Sequence, residues 1–173
     1  MKSLSVKLGA ILAVFWIIVI LHSTVSADDI DTEFTRKGLR GLKGVYVSMK
    51  NLSPDAIDFG ITKDQIQTDV ELRLRLAGIK VLTKEEMINI LGEPCFYWEI
   101  IGKKTYLERF IFTIMIYLYQ GVIVKQNLLE GQGITWLNLQ VISAGKKDLD
   151  YVRNCVKDMV DEFVNDYLAA NPK

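Results

Sequence analysis

Three β-rich segments in the second half of the chain constrain its fold most. They are CFYWEII at 95–101, the long run at 106–125 and ITWLNLQVI at 134–142. In each of them alternate residues share a character, which is typical of strands that bury one face. A sheet of this kind needs a covering layer, and a long amphipathic helix follows it. The apolar face of that helix consists of Leu149, Val152, Val156, Met159, Phe163 and Tyr167.

The segment 63–77 fits two interpretations. Its letters DVELRLR alternate as a half-buried strand would. However, Thr62 opens a capping-box pattern, Gly78 stands where a helix C-terminus favours glycine, and the composition is rich in helix formers. Ile66, Val70, Leu74 and Ala77 also recur at helical spacing. We therefore predict a helix, whose wide apolar face includes Leu72 or Leu76.

The remaining segments complete the order of elements. GVYVSMKNL at 44–52 predicts a first strand, and a loop at 53–61 follows it. IKVL at 79–82 predicts a short strand, after which Thr83 opens a second capping box and a short helix. The order β-α-β-α-β-β-β-α implies a single α/β (α+β) domain over 44–173. We expect one mixed sheet of about five strands with two or three helices packed on one face.

The first 27 residues have the parts of a secretory signal peptide. Two lysines precede an apolar run at 8–21, and Val25-Ser26-Ala27 offers the small residues that a signal peptidase reads. We therefore predict a signal peptide over 1–27 and export to the periplasm or the cell exterior. The alternative is a retained anchor, because residues 8–27 are long enough to cross a bilayer.

The segment that follows, 28–43, carries acidic residues first and basic residues after, and glycine interrupts it. Such a composition buries little apolar surface. It predicts a charged tether, flexible or loosely docked, between the signal segment and the domain.

The single histidine and the charge balance limit the catalytic mechanisms, metal sites and ligands that the chain can be expected to have. His22 is the only histidine, so cleavage would remove Ser-His and Cys-His catalysis and imidazole-bound metals. The chain has 21 basic and 21 acidic residues, which gives no general attraction to nucleic acid. Ser143 and Lys146 have the spacing of a serine–lysine pair but lack its companion motifs. We therefore predict no enzyme, no catalytic residue, no metal site and no cofactor.

Alternation in the three later strands sorts their side chains into two layers. The layer expected under the helices is Phe96, Trp98, Ile100, Phe110, Phe112, Ile114, Ile116, Leu118, Leu137, Leu139 and Val141. The other layer mixes aromatic side chains and methionine with polar ones, as adaptable binding surfaces do. The same mixture is also ordinary on the solvent face of an antiparallel sheet. The partner-binding candidates in this second layer are Tyr97, Glu99, Met115, Tyr117, Tyr119, Trp136 and Asn138.

Two cysteines, Cys95 and Cys155, leave two alternatives open. Exported proteins with a cysteine pair often form a disulfide, whereas two buried thiols would act as small apolar side chains. By parity Cys95 falls in the second layer, and Cys155 lies near the core face of the last helix. This mismatch argues against the bridge.

One stretch carries a family resemblance. TDVELRLRLAGIKVLTKEEMINIL at 68–91 resembles a unit in bacterial envelope proteins of the TolB amino-terminal and curli-secretion-lipoprotein type. There a helix leads through a small residue into a short strand and an acidic-capped helix. The ending FVNDYLAANPK resembles small exported bacterial envelope proteins of unassigned function. The resemblance implies envelope residence and partner binding rather than catalysis, although the lipoprotein cysteine is absent. The matching positions are Leu72, Leu76, Gly78, Ile79, Val81 and Glu86.

These observations predict an exported cell-envelope protein that serves as a non-catalytic protein-binding or assembly module. Its partner would be an envelope protein or a second copy, bound through the aromatic layer of the sheet. The alternative is a periplasmic carrier or sensor of an apolar small molecule between sheet and helices, which needs an enclosed cavity.

Overall fold

The computed structural model describes residues 36–172 as a four-stranded mixed sheet and the helices that accompany it. In chain order the elements are β1 Tyr46–Leu52, α1 Pro54–Phe59, α2 Lys63–Leu76, α3 Lys84–Ile88, β2 Cys95–Lys104, β3 Arg109–Val124, β4 Leu129–Gly145 and α4 Leu149–Ala170. The strand order is β1-β2-β3-β4, with β1 parallel to β2 and the other neighbours antiparallel. The α/β class and the mixed sheet are confirmed. The predicted signal segment 1–27 lies outside the described residues.

Local capping signals fix where α2 and α3 begin. The hydroxyl of Thr62 accepts a hydrogen bond from the backbone N–H of Gln65 at the start of α2. At α3 the box is reciprocal, because Thr83 accepts from the Glu86 N–H while the Glu86 carboxylate accepts from the Thr83 N–H. The helical interpretation of the ambiguous segment is therefore confirmed.

The buried face of α2 differs from the predicted one. Ile66, Val70 and Leu74 are fully buried, as their helical spacing indicated, whereas Leu72 and Leu76 are 51% and 75% exposed. These three residues recur at a spacing of four, so they form a narrow stripe on one side of the helix. The predicted wide apolar face is thus wrong at Leu72 and Leu76.

Two short elements depart from the prediction. Residues 79–82 form only an isolated bridge, Val45 to Val81, rather than a fifth strand. The predicted loop at 53–61 contains α1, which Ser53 caps and Gly60 ends in the left-handed region at φ 110°. Pro54 supplies the first helical residue, where its missing N–H costs nothing. The sequence Ser-Pro-Asp carried this signal.

The β3–β4 hairpin is longer than predicted. Its turn lies at 125–128, and the EGQG segment at 130–133 belongs to β4 instead of turning the chain. The first residue of β2, Cys95, pairs with Tyr119. The five pairs between Gln120–Val124 and Leu129–Gly133 therefore project past β2. The pairing shifts after Leu118, which leaves Thr135 as an extra residue in β4.

The helices α1, α2 and α4 pack on one face of the sheet, called the inner face below. Phe59 of α1 packs on β3, and Phe163 of α4 packs on β2. Gln67 of α2 accepts a hydrogen bond of 3.1 Å from the indole N–H of Trp98 in β2. The prediction that the main helices share one face is confirmed.

An ion pair connects α2 to α4. Asp69, which is nearly buried, accepts from Arg153 Nε at 2.9 Å and from a terminal guanidinium nitrogen at 3.0 Å. This bidentate contact raises the pKa of Arg153. Lys157 adds a second cation 3.8 Å from the same carboxylate.

The described part of the predicted tether, 36–43, is docked on the domain. Leu39 is fully buried, and its carbonyl accepts from the side-chain amide of Asn171. Gly41 N–H donates to the Asn171 side-chain oxygen, and the Tyr167 hydroxyl donates to the carbonyl of Leu42. For residues 36–43 these contacts favour the docked alternative over the flexible one.

The disulfide alternative is not realised. Cys95 and Cys155 are both free and both buried. Cys155 belongs to the main core, whereas Cys95 belongs to a small separate cluster with Leu82 and Met87. The two thiols therefore lie in different layers, as their parity indicated.

Candidate functional site

The candidate site is the outer face of the sheet, on the side away from α1, α2 and α4. One end of this face is covered by α3, because Leu82 and Met87 pack there against Cys95 and its neighbouring tyrosines. Among the described residues no other helix packs on this face. Five of the seven predicted partner-binding residues lie on it, and these are Tyr97, Glu99, Met115, Tyr117 and Tyr119.

Trp136 and Asn138 lie on the inner face, which corrects their predicted placement. Trp136 is only 4% exposed, and its indole N–H donates to Asp166 of α4 at 2.9 Å. The side-chain amide of Asn138 donates to Glu162 of the same helix. Both residues therefore serve the contact between β4 and α4.

Leu137, Leu139 and Val141 were predicted under the helices and lie instead on the outer face. Leu137 pairs with Tyr117 and Leu139 with Met115, both of which face outward. Alternation separates two sets of residues but does not say which set meets the helices. For β4 the apolar set was assigned to the core, and the pairing shows the reverse.

A sequence signal for the true orientation existed in α4. Glu162 and Asp166 are one helical turn apart, which matches the two-residue spacing of Asn138 and Trp136 along a strand. This match was not used in predicting the orientation of β4.

The tyrosines of the outer face form a packed cluster. The rings of Tyr97 and Tyr117 lie 5.6 Å apart, and Tyr97 lies 6.2 Å from Tyr119. Burial, followed by a hydrogen bond with Cys95, raises the pKa of Tyr97 to about 12. Burial and the negative charge of Glu99 raise the pKa of Tyr117 to about 12 as well. These phenols are therefore neutral at physiological pH and belong to the packing more than to the accessible surface.

The accessible part of the outer face is aliphatic, and we call it the aliphatic band. Its six side chains are each 43% to 64% exposed. A sheet with one covered face normally presents polar residues on the other. Contiguous exposed apolar patches are uncommon in monomers and mark interaction sites. The residues of the band are Ile101, Ile111, Ile134, Leu137, Leu139 and Val141.

The two ends of the outer face carry opposite charge. Arg109 marks the basic end, where its guanidinium donates to the hydroxyl and carbonyl of Ser143 at 3.0 and 3.1 Å. Glu93 and Glu130 mark the acidic end, beside α3 and on the projecting hairpin. Within the described part of the chain no ion pair joins Arg109, Glu93 or Glu130 to another side chain. The outer face is thus polarised along its strands.

A groove of about 800 Å³ lies at the acidic end. Ile90 and Gly92 line it from the side of α3, and Gly121, Ile123 and Gln132 line it from the hairpin. The hairpin approaches closely here, since the Gly121 N–H donates to the Gly92 carbonyl at 2.7 Å. The groove is thus bordered by the hairpin and by α3, the helix that covers this end of the outer face. Between the sheet and the helices, aromatic rings of the inner face pack against Phe59 and Phe163.

The described residues show no arrangement that suggests covalent or metal chemistry. Across residues 36–172 no three Cys, His, Asp or Glu side chains are grouped as metal ligands. The Ser143 hydroxyl accepts a hydrogen bond from Arg109 rather than from a lysine. Burial raises the pKa of the Cys95 thiol, which disfavours the reactive thiolate.

Comparison with known proteins adds no family to these observations. The chain matches no protein-family model, no curated protein and no solved structure. Between residues 36 and 172, none of the helices has both the length and the apolar character that crossing a bilayer requires.

Proposed function

We propose that this chain is an exported, non-catalytic module that binds a protein through the outer face of its sheet. The observation that carries the proposal is the aliphatic band, six half-exposed side chains on a face that α1, α2 and α4 leave uncovered. Burial of such side chains in an interface contributes roughly 25 cal/mol for each Å² of apolar area removed from water. A protein partner supplies a surface large enough to cover the band.

Export is part of the same proposal and rests on the sequence. The signal-peptide pattern of 1–27 and the resemblance of 68–91 to an envelope-protein unit both support residence in the cell envelope. The retained anchor over 8–27 stays the alternative. In either case the binding face would meet partners outside the cytoplasm.

The test is site-specific photo-crosslinking in the producing cells. A photoreactive side chain replaces Leu139, at the centre of the aliphatic band, or Leu72, on α2. The two leucines are matched, with exposed fractions of 50% and 51%. We expect crosslinked protein adducts from position 139 and none from position 72, because only position 139 would lie in an interface. Equal labelling at both positions, or none at either, would contradict the proposal.

A further inference from the structure

The proposed function does not say which protein covers the aliphatic band. We infer that a second copy of this chain covers it, packed sheet on sheet through the outer faces, with the strands of the two copies antiparallel. The two-fold axis then lies between the sheets and perpendicular to the strands. The inference rests on the proposed function, because it uses the same face.

The exposed apolar area is sufficient for such a dimer. Ile88 is the last residue of α3, and Leu91 follows shortly after it. Their exposed fractions are 55% and 101%. Together with the aliphatic band they present on the order of 800 Å² of side-chain surface, and a standard interface takes about 800 Å² from each partner. Two copies of this face would therefore meet the requirement without any further surface.

The position of α3 selects the antiparallel arrangement. Only the acidic end of the outer face carries a helix, so the layer above the sheet is filled at one end and vacant at the other. A helix is about 10 Å in diameter and packed sheets lie about 10 Å apart, so α3 and a partner sheet fit in the same layer. With antiparallel strands, each α3 lies over the uncovered end of the other copy. With parallel strands, both copies of α3 would lie at the same end of the dimer and the layer at the other end would stay open.

The same arrangement gives Ile88 and Leu91 a partner. Ile101 and Ile111 lie at the basic end of the outer face, where no helix covers them. The antiparallel overlap brings Leu91 of one copy over these isoleucines of the other. The fully exposed Leu91 would then be buried.

Charge selects the same orientation independently. Arg109 stands at one end of the face and Glu130 at the other, and neither has an ion-pair partner among residues 36–172. Antiparallel strands bring Arg109 of each copy toward Glu130 of the other, whereas parallel strands would oppose like charges. Such peripheral charges set orientation more than affinity.

The first experiment measures the dissociation constant by sedimentation equilibrium of the protein as purified from its producing cells. We expect a dimer, and we expect Leu139→Lys to weaken it by at least about 30-fold, as for a residue at an interface centre. Leu72→Lys, at matched exposure, should leave the constant unchanged. Circular dichroism melting of both variants verifies that each is folded. A dimer that survives Leu139→Lys would overturn the inference.

The second experiment tests the orientation at low ionic strength, where screening is weak. Arg109→Glu and Glu130→Arg should each weaken the dimer about five-fold, since each replaces attraction with repulsion. The double variant R109E/E130R should restore the affinity, because the complementary ends are exchanged in both copies. Absence of that rescue would exclude antiparallel strands.

Failure of the dimer and failure of the proposed function are distinguishable. A wild-type protein that stays monomeric at high concentration, while position 139 still crosslinks to a different protein, overturns the second copy and leaves the binding face. A wild-type protein that stays monomeric and gives no adduct from position 139 overturns both the dimer and the proposed function.

Discussion

Trp136 shows how a single side chain decides which way a strand faces. Its ring lies 5.1 Å from that of Phe163, and its indole N–H reaches Asp166. A tryptophan on the other face would leave its N–H to water and the Asp166 carboxylate to Arg36 alone. This residue therefore anchors the orientation that places Leu137 and Leu139 outside.

The indole hydrogen bond has a measurable contribution. Trp136→Phe keeps an aromatic ring against Phe163 but removes the donor to Asp166. We expect a loss of about 1.5–3 kcal/mol in the free energy of unfolding, as for a hydrogen bond to a charged acceptor. Urea denaturation measures it, with Leu72→Phe on the exposed side of α2 as the control. Equal stability of Trp136→Phe and wild type would contradict the inward placement.

At the scale of elements, local capping signals predict α2 and α3, whereas α1 was predicted as a loop and the orientation of β4 was predicted wrongly. The starts of α2 and α3 follow from Thr62 and Thr83, whose hydroxyls act within one helical turn. The orientation of β4 depends on Glu162 and Asp166, which are distant in sequence from the strand. The sequence consequently placed the three tyrosines on the correct face of the sheet and the β4 residues on the wrong one. Its aliphatic character came only from the pairing of β3 with β4.

The contact between α2 and α4 gives a prediction at this scale. Asp69→Asn leaves Arg153 without its bidentate carboxylate in a mostly buried position. We expect a loss of about 3 kcal/mol in the free energy of unfolding, because a partly buried cation loses its partner. Chemical denaturation by urea measures the change. Asp158→Asn, on the exposed side of α4, should shift stability by less than about 0.5 kcal/mol.

For the whole molecule, the domain begins earlier than its composition suggested. The charges of 28–43 predicted a tether, yet Leu39 fills a fully buried position and Asn171 fastens the backbone around it. The composition of a segment is an average over its residues. It does not show that a single apolar residue, here Leu39, fits a pocket of the domain. The docked segment packs against the C-terminal end of α4.

Leu39→Ala tests whether this segment belongs to the folded unit. Removing a fully buried leucine side chain should lower the free energy of unfolding by about 2–5 kcal/mol. The control is Leu76→Ala, where the exposed side chain makes the expected change small. Thermal and urea unfolding should show a clearly lower free energy of unfolding for Leu39→Ala than for Leu76→Ala. A Leu39→Ala protein as stable as wild type would mean that the segment is only loosely attached.

The extra residue Thr135 in β4 has a consequence for neighbouring chains. β4 is one of the two edge strands, the other being β1, and an edge strand can pair with a foreign strand and so promote aggregation. The irregularity at Thr135 interrupts the regular template, so a foreign strand can align without a break only along 136–145 or along the projecting tip. The extra residue Thr135 thus limits strand addition at the β4 edge, while the outer face of the sheet stays available for ordered assembly.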